Sequence, residues 1–250
     1  MAVLWSRTSA GNEYKVTSAG KTVRLYRNSV LHSQWNFARP VSGHLWDLFI
    51  LSSIDKNIAR VLVLGAGGGS IIKLVQYFFP DARVDAIDLD KIHVFVAKKF
   101  FKVNSKNCIF YLDDASEWIK KTKQRNYDLI IDDVFFEGHG VPYRSVNAHA
   151  SWIKKLLNKL SNKGSLVINF ADQNEWITSK NQLQQFQYIE PYNVAIAQHS
   201  QCDNKIVHIS KNPLSKKILT KNMSSKPYNV FYKYFKKGIF HYRAISLKGM

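Results

Sequence analysis

Three groups of aspartates stand directly after short apolar segments that the sequence predicts as successive strands. The groups are Asp88 with Asp90, Asp113 with Asp114, and Asp132 with Asp133. Ligands of open α/β sheets lie beyond the carboxyl ends of the strands, so we expect these carboxylates to share one rim. These aspartates are poorly explained as ordinary solvated surface residues, because basic residues dominate the chain. It carries 36 Lys and Arg residues and only 18 Asp and Glu residues.

A glycine-rich stretch, VLVLGAGGGS over residues 61–70, precedes the first of these aspartates. Its four apolar residues predict a buried strand, its glycines let the backbone turn sharply, and the helix that follows offers free N–H groups to a ligand. A flexible surface turn would look similar, but Asp88 follows about 20 residues later, the spacing that suits a ribose hydroxyl pair. The residues expected to bind the nucleotide here are Gly65, Ala66, Gly67, Gly69 and Asp88.

An adenosine ligand would give each group of aspartates a role. Asp88 is expected at the ribose. Asp114, with Asp113 beside it, could accept a hydrogen bond from the adenine amino group. Asp132 and Asp133 are expected to face the reacting end, where their charge would hold a cation such as a sulfonium.

Strands and helices alternate around these residues. The predicted strands cover residues 61–64, 83–89, 108–112, 127–131, 165–170, 193–198 and 205–210. The predicted helices cover residues 71–79, 91–101, 115–123, 148–160 and 182–186, and residues 134–145 are expected to form a loop. This alternation predicts an α/β, Rossmann-like fold with a mostly parallel seven-stranded sheet and helices on both faces.

The first forty residues have a different pattern. Alternation in YKVTS and TVRLY, separated by Ala19 and Gly20, predicts a β-hairpin, and VLHSQWNF predicts another strand. An apolar helix is expected over residues 43–53. We therefore predict a small N-terminal antiparallel β domain over residues 1–42 and a Rossmann-like nucleotide-binding domain over residues 43–250.

Composition limits the classes of protein that fit the chain. Of its 250 residues 46% are hydrophobic, but no apolar run approaches the roughly 20 residues that cross a bilayer. The N-terminus lacks a signal-peptide pattern, two cysteines are too few for a disulfide framework, and no residues have the spacing of a metal site. These features predict a cytoplasmic protein without a membrane span.

The formal net charge of +18 would favour acidic partners such as nucleic acid. Residues 204–250, the basic C-terminal segment, contain no Asp or Glu and mix basic with aromatic residues. Such a segment could stack bases and hold phosphates. Packing of its aromatic side chains on the core is the interpretation that we favour.

Five motifs resemble those of the class I S-adenosylmethionine-dependent transferases. They are VLVLGAGGGS, AIDLD, YLDDA, YDLIIDDVF and NKGSLVINF. The chain is more similar still to the spermidine synthase branch with its methyltransferase-like relatives, in which a small N-terminal β sheet is typical and dimers are frequent. The resemblance covers residues 25–170. It implies S-adenosylmethionine or its decarboxylated form as the cofactor, Asp88 at the ribose, Asp114 at the adenine, and Asp133 as the acid that deprotonates an attacking amine.

Two departures from the aminopropyltransferase pattern bear on the substrate. Gly68 stands where the motif GGGDGG has an acid that helps to bind the amine, and Phe136 stands where a second acid follows the catalytic one. A polyamine carries two or more positive charges, so the loss of two carboxylates weakens the case for it. Glu137 or Asp132 could compensate.

Five other residues are secondary candidates. The N-terminal strand of the resembling family usually supplies a glutamine to the nucleotide, and this chain has His32 there, with Gln34 nearby. His139, in EGHGVPY, could act as an acid–base group or be a solvated loop histidine. Tyr143 and Arg144 could line the acceptor side.

Three hypotheses follow, of which the first is preferred. It is an S-adenosylmethionine-dependent methyltransferase with an unknown small-molecule or macromolecular acceptor and with Asp133 and Asp132 at its catalytic end. The second is a polyamine aminopropyltransferase, that is a spermidine synthase, using decarboxylated S-adenosylmethionine. The third is a non-catalytic basic protein that binds a nucleotide and RNA.

Overall fold

The chain forms a small sheet, a large sheet and a hairpin, with helices packed around the large sheet. This computed structural model of the protein describes residues 1–138, 141–144, 146–186 and 189–247. The strands are β1 (Ala2–Ser9), β2 (Asn12–Ala19), β3 (Thr22–Arg27), β4 (Val30–Asn36), β5 (Arg60–Leu64), β6 (Arg83–Asp88), β7 (Cys108–Leu112), β8 (Tyr127–Asp132), β9 (Phe135–Gly138), β10 (Val141–Arg144), β11 (Leu160–Phe170), β12 (Asn193–His199), β13 (Lys205–Ser210) and β14 (Phe240–Ile245). The helices are α1 (Ser70–Phe78), α2 (Lys91–Lys99), α3 (Ala115–Lys121), α4 (Ala150–Leu157), α5 (Gln173–Leu183), α6 (Lys216–Asn222) and α7 (Tyr232–Lys236), with 3₁₀ helices at Leu45–Ser53 and Tyr228–Phe231.

The small sheet is N-terminal and antiparallel, as predicted. Its four strands pair in chain order, from β1 to β4. Val16, Leu25 and Trp35 are buried in the same hydrophobic cluster as Val61 and Val63 of β5. The small sheet therefore shares a hydrophobic cluster with the large one and contacts it through β4 and α1, and a domain boundary at residue 42 stays a prediction.

The large sheet is mostly parallel and has helices on both faces, which confirms the predicted fold class. Its strand order is β14-β12-β13-β11-β8-β5-β6-β7. Strands β11, β8, β5, β6 and β7 run parallel, whereas β13, β12 and β14 are joined to them by antiparallel pairs. The sheet has eight strands rather than the predicted seven. The additional strand is β14, which comes from the basic C-terminal segment.

Strand β5 lies at the centre of this sheet and shows why both faces are covered. Val61 and Val63 belong to one hydrophobic cluster, and Leu62 and Leu64 belong to another. All four side chains have zero exposure. Because side chains alternate across a strand, an unbroken apolar strand needs a packed layer on each face.

Three predicted element boundaries were wrong. The helix predicted over residues 182–186 is the longer α5, which begins nine residues earlier at Gln173. Asp172 caps this helix by accepting hydrogen bonds from the N–H groups of Asn174 and Glu175. This cap is a local sequence signal, but the start of the helix was missed because its apolar periodicity is weak. Residues predicted as a loop after β8 form the hairpin of β9 and β10. The helix predicted over residues 148–160 is α4, which ends earlier, at Leu157, because β11 begins at Leu160.

The described part of the basic C-terminal segment packs on the large sheet. Strand β14 pairs with β12 along the edge of that sheet. Phe231, Phe240 and Tyr242 are buried. The aromatic side chains of this segment thus contribute to the core, while an acidic partner for its lysines stays a prediction. No helix within the described ranges is long and apolar enough to span a bilayer.

Candidate active site

The glycine turn follows β5 and brings the backbone against the end of β8. Gly65 has a φ of +80°, and a Cβ on it would overlap the backbone carbonyl oxygen of Asp133. Gly69, with a φ of +94°, is the N-cap of α1. Glycine adopts such angles with the least strain. Gly65, Ala66 and Gly67 line a cavity of about 630 Å³, whereas Gly69 packs against α2 and is not part of the described lining.

Asp88, at the end of β6, lines this cavity and is held on several sides. Its Oδ2 accepts from the Gly67 N–H at 2.8 Å, and its Oδ1 accepts from the Asp90 N–H at 2.8 Å. Nδ1 of His93, on α2, lies 3.3 Å from each of the two oxygens. Burial opposes ionisation, but the charge and hydrogen bond of His93 outweigh it and hold the pKa of Asp88 below its usual value. The carboxylate is therefore ionised and oriented beside the glycine turn.

Asp113 and Asp114 line the cavity at the end of β7. Oδ1 of Asp114 caps α3 by accepting from the Ser116 and Glu117 N–H groups at 2.8 and 3.0 Å. The Ser116 hydroxyl donates to the same oxygen and lowers the pKa of Asp114. No described residue donates to Oδ2 of Asp114, so that oxygen is available for the predicted adenine contact.

Asp132 and Asp133 are neighbours in sequence but lie in different environments. Asp132 is completely buried, and its Oδ2 accepts from Arg144 Nη2 at 2.6 Å and from Trp152 Nε1 at 2.8 Å. Arg144, on β10, also donates to the Asn169 backbone carbonyl at 2.6 Å. The buried Asp132 carboxylate is thus paired with a buried cation, as its burial requires, and it does not belong to the described cavity lining. Of the two predicted catalytic aspartates, the structure brings only Asp133 into the cavity.

Asp133 is held by a chain of two amides. Its Oδ1 accepts from Asn169 Nδ2 at 2.7 Å, and Asn169 Oδ1 accepts from Asn204 Nδ2 at 3.0 Å. Burial raises the pKa of Asp133 to about 7, and the hydrogen bond from Asn169 offsets only part of that effect. A carboxyl group with a pKa near neutrality can take up and release a proton at physiological pH, as a general base must.

The cavity concentrates acid in a basic protein. Of the 18 acidic residues of the chain, seven are among its described lining residues. These are Asp88, Asp90, Asp113, Asp114, Asp133, Asp172 and Asp203. Burial lowers the pKa of His32, which also lines the cavity, to about 4, so this histidine is uncharged at neutral pH. The lining also contains Arg27 and His93, but the aspartates outnumber these basic side chains, so the lining favours a cationic ligand.

The structure explains one departure from the aminopropyltransferase pattern. A Cβ on Gly68 would lie 2.8 Å from Cβ of Ser33, whose hydroxyl accepts from the Gly68 N–H at 2.7 Å. Strand β4 thus occupies the space that an acid at residue 68 would need. Of the two N-terminal candidates, His32 lines the cavity, whereas Gln34 is buried and bonds to Arg24.

Two of the loop candidates do not belong to the described lining. Tyr143 is half exposed, and Arg144 is paired with Asp132. His139 lies outside the described residues. Within the described part of the chain, no group of three His, Cys, Asp or Glu side chains could hold a metal ion.

Sequence reasoning missed several lining residues of the site, among them five polar ones. They are His93, Asn169, Asp172, Asp203 and Asn204. A signal existed for two of them: Asn169 is a polar residue inside an apolar strand, and Asp172 follows the carboxyl end of the same strand, where ligands bind. His93 had no such signal, because its contact with Asp88 depends on the way α2 packs against β6.

Comparison with known proteins identifies the relatives of this chain. Residues 50–202, more than half of the chain, match the family model of the spermine/spermidine synthase domain. A polyamine aminopropyltransferase of Prochlorococcus marinus (strain AS9601) is 32% identical over 89 residues, which cover 33% of this chain and 31% of that protein. A polyamine aminopropyltransferase of Vibrio vulnificus (strain CMCP6) is 28% identical over 144 residues, covering 56% of this chain and 47% of that protein. The chain thus spans less than half the length of these curated relatives.

A solved structure has a similar fold over nearly the whole chain. The crystal structure of a probable spermidine synthase from Corynebacterium glutamicum ATCC 13032 matches with a TM-score of 0.74 and 16% sequence identity. The match covers 97% of this chain and 90% of that chain. At this identity the likeness concerns the fold alone, and it includes both the small sheet and the large one.

These findings correct the preference for methyl transfer. The matching family model and the two curated relatives concern spermidine synthases and polyamine aminopropyltransferases, which was the second hypothesis. S-adenosylmethionine itself loses its support as the cofactor together with that preference. The acids missing at Gly68 and Phe136 do not exclude a polyamine, because Asp172 and Asp203 line the same cavity.

Proposed function

The chain belongs to the spermine/spermidine synthase domain family, and we propose that it is a polyamine aminopropyltransferase. The aminopropyl donor is decarboxylated S-adenosylmethionine, and the acceptor is an aliphatic diamine. One observation carries this proposal: a protein with a net charge of +18 collects seven aspartates around a single cavity, one of them with a pKa near 7. A sulfonium donor and an amine acceptor are both cations that such a lining attracts.

The residues beside the glycine turn fit the nucleoside part of the donor. The turn at Gly65 and Gly67 leaves the backbone bare, so a ligand can approach it closely. Asp88 is ionised and oriented, and its oxygens suit the two hydroxyls of a ribose. The free oxygen of Asp114 suits the adenine amino group. Methylthioadenosine, which shares these parts, is therefore a suitable probe of this end of the cavity.

Asp133 is the proposed general base. The neutral acceptor nitrogen attacks the aminopropyl carbon that is bonded to sulfur. The N–C bond forms while the C–S bond breaks, and its electron pair goes to sulfur, so that methylthioadenosine leaves. The nitrogen gives its extra proton to Asp133, whose pKa of about 7 lets it accept the proton near neutral pH. The remaining acceleration comes from holding the two reactants together.

The second charge of a diamine also needs a partner in the cavity. Asp133 follows β8, and the two strands next to it on one side are β11 and β13. Asp172 follows β11, and Asp203 precedes β13. Both line the cavity on the side of Asp133 away from β6 and β7, whose aspartates are assigned to the nucleoside. These two carboxylates can hold the charged second amine of the acceptor without acids at positions 68 and 136.

Product analysis tests this proposal. The purified protein is incubated with decarboxylated S-adenosylmethionine and putrescine, and the expected products are spermidine and methylthioadenosine in equal amounts. Asp133→Asn should lower kcat by about 10²–10⁴-fold, whereas Asp81→Asn, at an exposed residue far from the cavity lining, should leave it unchanged. Absence of aminopropyl transfer to putrescine, 1,3-diaminopropane and cadaverine, by a protein that binds methylthioadenosine, would refute the proposal.

Three properties of the whole protein stay proposals. They are a homodimer, a cytoplasmic location and an acidic partner for the basic C-terminal segment. Light scattering of the purified protein tests the first, fractionation of the source cells tests the second, and salt-dependent RNA binding tests the third.

A further inference from the structure

Two asparagines join Asp133 to the neighbouring strands through a directed chain of hydrogen bonds. Asn204, which precedes β13, donates from Nδ2 to Oδ1 of Asn169 at 3.0 Å. Asn169, near the end of β11, donates from Nδ2 to Oδ1 of Asp133 at 2.7 Å. Asn169 is 5% exposed, and all three residues line the cavity. The chain therefore ends on a carboxyl group that a ligand can reach.

The chemistry of the end groups sets the direction of this chain. An ionised carboxylate only accepts hydrogen bonds, so Asn169 must present its NH₂ group to Asp133 and its carbonyl oxygen to Asn204. Asn204 supplies the donor that this carbonyl oxygen needs. If the Asn169 amide turned by 180°, two oxygens would face each other at Asp133 and two NH₂ groups would face each other at Asn204. Each asparagine thus stabilises the orientation of the next group.

We propose that Asn169 and Asn204 are positioning residues that hold Oδ1 of Asp133 as an acceptor and leave Oδ2 to take the proton from the attacking amine. This inference rests on the proposed function, because it concerns the general base of that reaction. Among the described residues, Asn169 alone donates a hydrogen bond to the Asp133 side chain, and it does so at Oδ1. The second oxygen therefore keeps its lone pairs for the substrate.

The same contact contributes to how much of the base is ionised at neutral pH, together with burial and with the charges of Arg144, Asp132 and Asp88. Burial raises the pKa of Asp133, and the hydrogen bond from Asn169 opposes that rise. Charge-assisted hydrogen bonds are stronger than neutral ones, so removal of the hydrogen bond from Asn169 should raise the pKa of Asp133 by about one unit. Asn204 acts only through Asn169, and its removal should produce a smaller shift in the same direction.

A double-mutant cycle tests this order of action. The variants are Asn169→Leu, Asn204→Leu and the double variant, and Asn193→Leu is the matched control, since the Asn193 side chain bonds to the Lys211 carbonyl at the surface. Carbon-13 NMR of aspartate-labelled protein follows the titration of the Asp133 carboxyl group, whose signal is assigned by its loss in Asp133→Asn. This readout needs no turnover, so it stays informative if the proposed reaction fails.

The expected result has three parts. The titration midpoint of Asp133 rises by about one pH unit in Asn169→Leu and by less in Asn204→Leu. In the Asn169→Leu background, Asn204→Leu adds no further shift, because the residue through which it acts is absent. The dissociation constant for methylthioadenosine changes by less than about twofold, and Asn193→Leu leaves the midpoint unchanged.

Either of two results would overturn the inference: an unchanged midpoint in both single variants, or shifts that add in the double variant. If a Leu variant does not fold, Ala at the same position removes the amide without adding bulk and decides the question. If the wild-type protein transfers aminopropyl groups, the pH dependence of kcat/KM is measured as well. The pKa of its acid limb must then shift in each variant by the same amount as the NMR midpoint. If the protein transfers none, the proposed function fails while the NMR titration still decides the role of the two asparagines.

Discussion

Replacing Asp133 by asparagine is expected to inactivate the protein and to stabilise it above neutral pH. Burial raises the pKa of this carboxyl group from 3.8 to about 7 in the folded protein. Between these two values the folded state binds the proton more tightly than the unfolded state does. The free energy of unfolding therefore falls as the pH rises through this window, and the loss is complete above about pH 8.

The size of this effect follows from the shift. A rise of about three pKa units corresponds to about 4 kcal/mol of unfolding free energy. Asp133 opens onto the cavity and is not sealed from water, so we expect about 2–4 kcal/mol. Asparagine is neutral at every pH and still accepts from Asn169 through its own Oδ1. Asp133→Asn should therefore exceed the wild type in stability by this amount at pH 8, by about 1.5 kcal/mol at pH 5, and match it to within about 1 kcal/mol near pH 4.

Urea unfolding at pH 5, 6, 7 and 8, followed by tryptophan fluorescence and circular dichroism, measures this difference. Asp81→Asn is the matched control, because Asp81 is exposed at the end of the α1–β6 connection, and its difference from the wild type should not depend on pH. A gap between Asp133→Asn and the wild type that stays constant from pH 5 to pH 8 would refute the reasoning. In that case the carboxyl group would titrate alike in the folded and unfolded states.

Three other substitutions have expected effects on stability or binding. Gly65→Ala should destabilise by at least about 2 kcal/mol in urea unfolding, because the φ of +80° disfavours a side chain and the added Cβ overlaps a backbone carbonyl at the end of β8. Arg144→Met should destabilise by about 3–5 kcal/mol in the same assay, since it leaves the Asp132 carboxylate buried without a cation. His93→Phe should weaken methylthioadenosine binding about tenfold in calorimetry, because it removes the group that keeps Asp88 ionised.

Each of these substitutions has a matched comparison. Gly11→Ala places a side chain at a similar φ of +74° where an added Cβ contacts nothing, so a cost equal to that of Gly65→Ala would exclude the overlap as the cause. Asp132→Leu together with Arg144→Met should recover most of the stability, and a larger loss in the double variant would contradict the charge argument. His93→Gln keeps a donor toward Asp88, so its binding constant should lie between those of the wild type and His93→Phe.

The sequence alone predicts the elements whose apolar residues repeat regularly. Strand β5 is apolar on both faces, and the glycine turn after it requires angles such as those of Gly65, so this unit is visible without a structure. Strand β14 is not, because its pairing with β12 joins residues that are far apart in the chain. Helix α5 was mostly missed because its hydrophobic residues are few and its clearest signal is the cap at Asp172.

The candidate site was predictable at the level of strand ends and not at the level of single side chains. Asp132 and Asp133 are adjacent acids after the same apolar strand, and their type and spacing predict both at the reacting end; only the family resemblance singles out Asp133 as the base. Arg144 decides between them, since it binds Asp132 from a hairpin that was predicted as a loop. Asn204 could not be assigned either, because its role depends on a contact with Asn169, which is 35 residues away in the chain.

The charge of the whole protein and the charge of the cavity act over different distances. A net charge of +18 repels a cationic ligand at long range, but at physiological ionic strength the Debye length is only about 8 Å. A ligand at the cavity therefore responds chiefly to its lining, where seven aspartates outnumber the basic side chains of Arg27 and His93 and where His32 is uncharged. Discrimination between a diamine and a monoamine should then depend on where these carboxylates lie. In the proposed reaction, Asp172 and Asp203, which flank strands beside β8, would supply the acceptor contacts that an acid at Gly68 would otherwise provide.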